Sequence, residues 1–179
     1  MGDTPGSRIG LMRTVFLLIC TFLAFLSLLP LETAPRNWAG PDLILALSCA
    51  WVLRRPEFVP APIIALVFLL TGLLFQMPPG LWAALVVIGT ETLRARASGL
   101  RDLSFAAEWV TVAITLMLMT LANQVVLAVL LVDRPPLALN LMQVFMTLAA
   151  YPVVVIASQF LLGVRKHAPG DLDTLASRR

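Results

Sequence analysis

Charge is scarce in this chain. Asp, Glu, Lys and Arg make up 13% of its 179 residues against 59% hydrophobic ones, and the mean hydropathy is +0.91. That is too little polar surface to cover a soluble globule of this length, so the chain reads as an integral membrane protein. Catalytic side chains are scarcer still. The one histidine, His167, lies in a polar tail, and no Ser/His/Asp set, HExxH helix or CxxC pair is present. The usual groups of intramembrane hydrolases and transferases are therefore missing, and a non-enzymatic protein is expected. The two cysteines, Cys20 and Cys49, each sit inside an apolar run. They can assemble neither a disulfide framework nor a thiolate metal site and read as small buried apolar residues. No cofactor is expected.

The charge that is present is segregated. Eleven of the thirteen Lys and Arg residues fall in alternate gaps between apolar runs: Arg8 and Arg13, then Arg54 and Arg55, then Arg94, Arg96 and Arg101, and finally Arg165, Lys166, Arg178 and Arg179. The other gaps hold only Arg36 and Arg134. By the positive-inside rule the basic gaps are cytoplasmic, which puts both termini in the cytoplasm and makes the number of crossings even. The net charge of +3 does not indicate nucleic acid, because the basic residues border apolar runs instead of forming one face.

A span needs roughly 20 apolar residues. The pattern predicts an all-α bundle of about six transmembrane helices over residues 9–164, with spans near 12–31, 38–53, 60–76, 81–93, 105–132 and 137–164. A cytoplasmic arm, 1–8, precedes it and a polar tail, 165–179, follows. The first run resembles a secretory signal, but Glu32 stands where a cleavage site needs a small residue, so it is expected to stay as the first helix. The second run is short and opens with Pro41 and Asp42, a proline suited to a first helical turn and a carboxylate suited to the positive helix end. The uncharged stretch between Glu57 and Glu91 must break at Pro78, Pro79 and Gly80. It forms either a crossing hairpin or a re-entrant pair covered by neighbouring helices. Ser104 is a plausible N-cap for the fifth helix. Pro152, inside the sixth, frees a carbonyl one turn earlier and kinks the helix unless Thr147 or a neighbour satisfies it.

Several residues invite a chemical reading. Asp42, Glu91 and Glu108 lie at or just inside span ends, and intramembrane carboxylates are by default candidates for proton or ion handling. A structural role is favoured here: Glu91 pairing with Arg94 or Arg96, and Glu108 with Arg101 or the start of its own helix. Asn123, Gln124, Gln143 and Gln159 are expected to bond across helices, and Ala46 and Ala50 form a small-xxx-small pair that allows close helix approach. Met117, Met119, Met142 and Met146 read as packing filler before metal transport. The basic loops RRPEF and LRARASGLRD suit anionic lipid headgroups, with an acidic partner surface as the alternative.

The order of these features resembles the rod shape-determining MreD family of bacteria, in its alphaproteobacterial form. The matching elements are Pro41-Asp42, the exit WVLRRPEFVP, the turn QMPPGLWA at Gly80, Pro152 in the last helix and the basic ending GVRK, over roughly residues 9–167. One departure stands out: many members carry an aspartate about eight residues before the turn glycine, where this chain has Gly72. The resemblance implies a multi-pass inner-membrane component of the cell-elongation machinery, without catalytic activity. It would associate with MreC and help to link MreB filaments to the synthase RodA and its transpeptidase. Pro41, Asp42, Ala46, Ala50, Arg54, Arg55, Gly80, Glu91 and Pro152 are the candidate structural or partner-contact residues. The substrate-binding subunits of energy-coupling factor vitamin transporters share the expected size and topology and supply the rival reading, in which a small molecule binds near the outer loops.

Overall fold

The computed structural model describes residues 5–29, 39–76, 78, 80–99, 104–132 and 136–162. They form six helices: α1 (Pro5–Leu28), α2 (Leu43–Arg54), α3 (Ala61–Leu74), α4 (Leu81–Arg96), α5 (Phe105–Val129) and α6 (Leu137–Leu162). Among the described residues there is no strand. Arg36, Trp38, Arg101, Arg134, the GVRK exit and the tail from 165 lie outside them, as do the first four residues of the expected arm. The arm is helical from Pro5 onward, so α1 starts earlier than residue 12. A proline fits the first turn, where its missing N–H has no partner to lose. Helix α4 continues past Leu93 to Arg96, whereas α2 starts only at Leu43 and not at 38, and α5 ends at Val129 and not at 132.

Three segments, Ser7–Leu28, Phe105–Val129 and Leu137–Phe160, are long and apolar enough to cross a membrane, which agrees with the composition. The helices between them are shorter. With 12 residues, α2 extends only about 18 Å at 1.5 Å per residue, against a hydrocarbon core of about 30 Å. Its sequence is apolar all round, the signature of an enclosed helix, and every residue from Ile44 to Arg54 is buried. Packed around it are α1, α4 and α6. On α1 the stripe Phe16, Cys20 and Ala24, spaced four apart, is buried while Leu18, Phe22 and Phe25 face outward. The Phe16 and Trp51 rings meet at 5.4 Å between centroids.

Cross-helix bonds set the directions. The Asp42 amide donates to Thr147 Oγ1 at 2.9 Å, and Trp51 Nε1 donates to Ser158 Oγ at 3.2 Å. Residue numbers thus rise together along α2 and α6, and these two helices run parallel. Near the end of α4, Arg94 donates to the carbonyls of Pro56 and Val59. On α1, Arg13 Nη2 donates to the Glu57 carbonyl at 3.1 Å. The α2–α3 loop is therefore gripped from both sides at one arginine-rich end, away from which α1, α3 and α5 run and toward which α2, α4 and α6 run. At the opposite end Gly80 caps α4 with φ +87°, a left-handed conformation that glycine enters without steric cost.

Helices α4 and α5 pack closely at Gly89, where an added Cβ would lie 2.3 Å from Met119 Sδ. The flexible thioether yields to a methyl group, but not to a branched side chain. Gly89→Leu is expected to destabilise the protein by about 1–3 kcal/mol, the usual penalty for overpacking, and Gly89→Ala to be nearly neutral. Denaturation in mild detergent distinguishes the two.

Candidate functional site

The site is built where α2 ends. Arg54, its last residue, is 5% exposed, and Glu108, in the first turn of α5, is fully buried. Arg54 Nη2 lies 3.0 Å from Glu108 Oε1, and the Tyr151 hydroxyl of α6 donates to the same oxygen at 2.8 Å. Phe105 stacks on Tyr151 with centroids 6.3 Å apart. Three helices thus meet on one carboxylate oxygen. Glu108 therefore bonds to Arg54 and Tyr151, while Arg101, its expected partner in sequence, lies outside the described residues. Arg54 in turn points inward, whereas its place at a basic exit suggested lipid or partner contact. The physical reason is the same in both cases: a carboxylate removed from water demands a cation, and α2 brings one to it.

A second bond braces the same region. Pro152 lacks the N–H that would have reached the Leu148 carbonyl, and Trp109 Nε1 donates to that carbonyl at 3.0 Å from α5. Of the two sources open in the sequence, Thr147 or a neighbour, it is the neighbour, for Thr147 donates to the Gln143 carbonyl at 2.7 Å and accepts from the Asp42 amide. Adjacent residues at the start of α5, Glu108 and Trp109, thereby hold Tyr151 and the open turn before Pro152. Beside this cluster a cleft of about 410 Å³ opens, lined by Arg54, Phe105, Glu108, Pro152, Val155, Ile156 and Gln159.

The other candidates serve the framework. Asp42 is the N-cap of α2, its Oδ1 accepting from the Leu45 amide at 2.9 Å. Pro41 consequently precedes the cap instead of entering the first turn. Ala46 and Ala50 are fully buried, four and eight residues along from Asp42 on the stripe that ends at Arg54. Arg55 is half-buried, 3.4 Å from Glu57 Oε1 and above the Phe58 ring. Glu91 pairs with Arg94 at 3.0 Å, one helical turn on, as its spacing predicted. Gly72 is buried, yet a Cβ built there meets nothing within 4 Å, so there is room for a side chain at the position where the MreD pattern often has aspartate.

Of the four amides, Gln124 is buried on α5, Gln159 lines the cleft, Asn123 is half-buried and Gln143 is exposed. Cross-helix bonds are made by Thr147 and also by Trp51, Trp109, Tyr151 and Ser158, four residues that sequence reading passed over. A signal was present. A tyrosine or tryptophan inside an apolar helix carries a polar atom that must find a partner, and Tyr151 is the single tyrosine of the chain. Cys20 and Cys49 are buried free thiols, and no group of three or more His, Cys, Asp or Glu able to hold a metal occurs among the described residues. No family model matches the chain, and no curated protein or solved structure does.

Chemically, the cluster neutralises itself and ties helices together. Glu108→Ala leaves the Arg54 guanidinium buried without its counter-charge and is expected to cost about 3–5 kcal/mol. Replacing both partners, Arg54→Met with Glu108→Leu, should recover most of that loss. The measurement is a double-mutant cycle on unfolding in detergent.

Proposed function

We propose that this protein is a non-catalytic, multi-pass component of a bacterial inner membrane that acts in the cell-elongation machinery. In this reading it associates with MreC and helps to link MreB filaments to RodA and its transpeptidase. The observation that carries the reading is that the elements of the MreD resemblance are the points that organise the bundle. Asp42 caps the enclosed helix α2 and ties it to α6, Gly80 makes the turn into α4, and Pro152 lies at the braced break in α6. Buried charge is spent on internal ties, while apolar side chains such as Leu118, Leu121 and Val125 of α5 face outward. That division suits a scaffold contacted by other membrane helices through van der Waals packing.

The topology belongs to the same proposal. The arginine-rich end is cytoplasmic by the positive-inside rule, both termini share that side, and all six helices cross, the shortest, α2, being enclosed by its neighbours. A cysteine at the exposed turn residue Pro78 tests this without the strain that any side chain would meet at Gly80. An impermeant maleimide added outside should label Pro78→Cys in intact spheroplasts. Absence of outside labelling, with labelling only in opened membranes, would replace the crossing hairpin by a re-entrant one.

The functional claim is tested by purifying the tagged protein from its native membrane in gentle detergent and identifying its companions by mass spectrometry. MreC and the elongation synthases are expected, together with loss of rod shape on depletion. Recovery instead of a transporter ATPase pair with its membrane coupling subunit would replace the scaffold by a vitamin-capturing subunit.

A further inference from the structure

The cleft between α5 and α6 has a chemistry that the scaffold reading does not use. It lies at the ends of its helices: Arg54 is the last residue of α2, Phe105 the first of α5, and Gln159 is three residues from the end of α6. Arg54 and Glu108 bring charge to its lining, and Pro152, Val155 and Ile156 form an apolar part of it. The apolar part continues onto the outward face of α6, where Ile156 is 53% and Phe160 78% exposed. Arg54 contributes a second observation. Its Nη2 is bound to Glu108, but its Nε is buried without a hydrogen-bond partner. An unmet donor in a water-poor region is costly, and this one belongs to a residue that lines a cleft large enough for a ligand.

The geometry points to this cleft as a seat for one glycerophospholipid, whose phosphodiester or ester oxygens face Arg54 and Gln159 and whose acyl chain leaves over Ile156 and Phe160. The match is one of depth and polarity together. Helix ends lie at the level of lipid headgroups, and an amphipathic molecule with acceptor oxygens at one end and hydrocarbon at the other fits a cleft whose lining joins the buried Arg54 and Glu108 to the exposed, apolar Ile156. Charge narrows the class. Glu108 already balances Arg54, so the site favours a diffuse single charge or a neutral ester over a phosphate monoester, which the carboxylate repels. The surrounding end is basic, with Arg13, Arg55, Arg94 and Arg96 against Glu57 and Glu91, which attracts anionic headgroups. The assignment is independent of any role in cell elongation.

Native mass spectrometry of the full-length protein, stripped of lipid in detergent and titrated with dioleoyl phosphatidylglycerol, provides the test. The wild type should retain one lipid under activation that removes all others. Ile156→Trp, which crowds the cleft, should lower that occupancy roughly tenfold, the lower end of the usual penalty for overpacking. Gln159→Leu should lower it less, and Val153→Trp, on the same helix but outside the cleft, should leave it unchanged. Equal retention by wild type and Ile156→Trp overturns the assignment. So does a photo-crosslinking amino acid at position 159 that captures only a protein chain in native membranes, since the occupant is then a partner helix.

Discussion

A charge taken out of water has to be met by its opposite, and in this protein that constraint is concentrated on Glu108. The carboxylate is fully buried, and the solution draws on three helices at once: Arg54 from the end of α2, Tyr151 from α6 and the backbone start of α5 that carries Glu108 itself. Such a tie adds little net stability over a well-packed apolar contact. What it contributes is register. Only one axial placement of α2 against α5 and α6 brings the guanidinium to the carboxylate, and a bundle held mainly by non-directional apolar packing has few other means of choosing between neighbouring registers.

The rest of the architecture follows from that placement. Helix α2 is too short to cross a bilayer unaided and is apolar on every side, so it has to be wrapped by longer neighbours. Its two ends are then bonded to α6, at Thr147 through the Asp42 amide and at Ser158 through Trp51. The arginines at the basic end also serve the backbone. Arg13 and Arg94 close over the carbonyls of the α2–α3 loop, groups that would otherwise need water. Side chains of the basic end thus also complete the backbone hydrogen bonding of this loop.

The proline in α6 shows how a local defect becomes a tertiary contact. Losing one amide at Pro152 exposes the Leu148 carbonyl, and Trp109 satisfies it from α5. Because Glu108 is the preceding residue, the first turn of α5 bonds both Leu148 and Tyr151 in the turn before the proline. The neighbouring cleft has Pro152 in its wall.

The sequence by itself determined the class, the number of helices and their approximate limits, because hydropathy and breakers act locally. An apolar run, the carboxylate after Pro41 or the Pro-Pro-Gly turn carries its meaning within a few residues. The Glu91 and Arg94 pair was legible for the same reason, since one helical turn separates them. Tertiary structure alone decided the partners of Glu108, the inward turn of Arg54 and the donor that reaches Leu148, at separations of 54 residues for the ion pair and 39 for the indole bond. A buried polar group announces in sequence that it needs a partner. Which partner it receives depends on the helices that packing brings beside it.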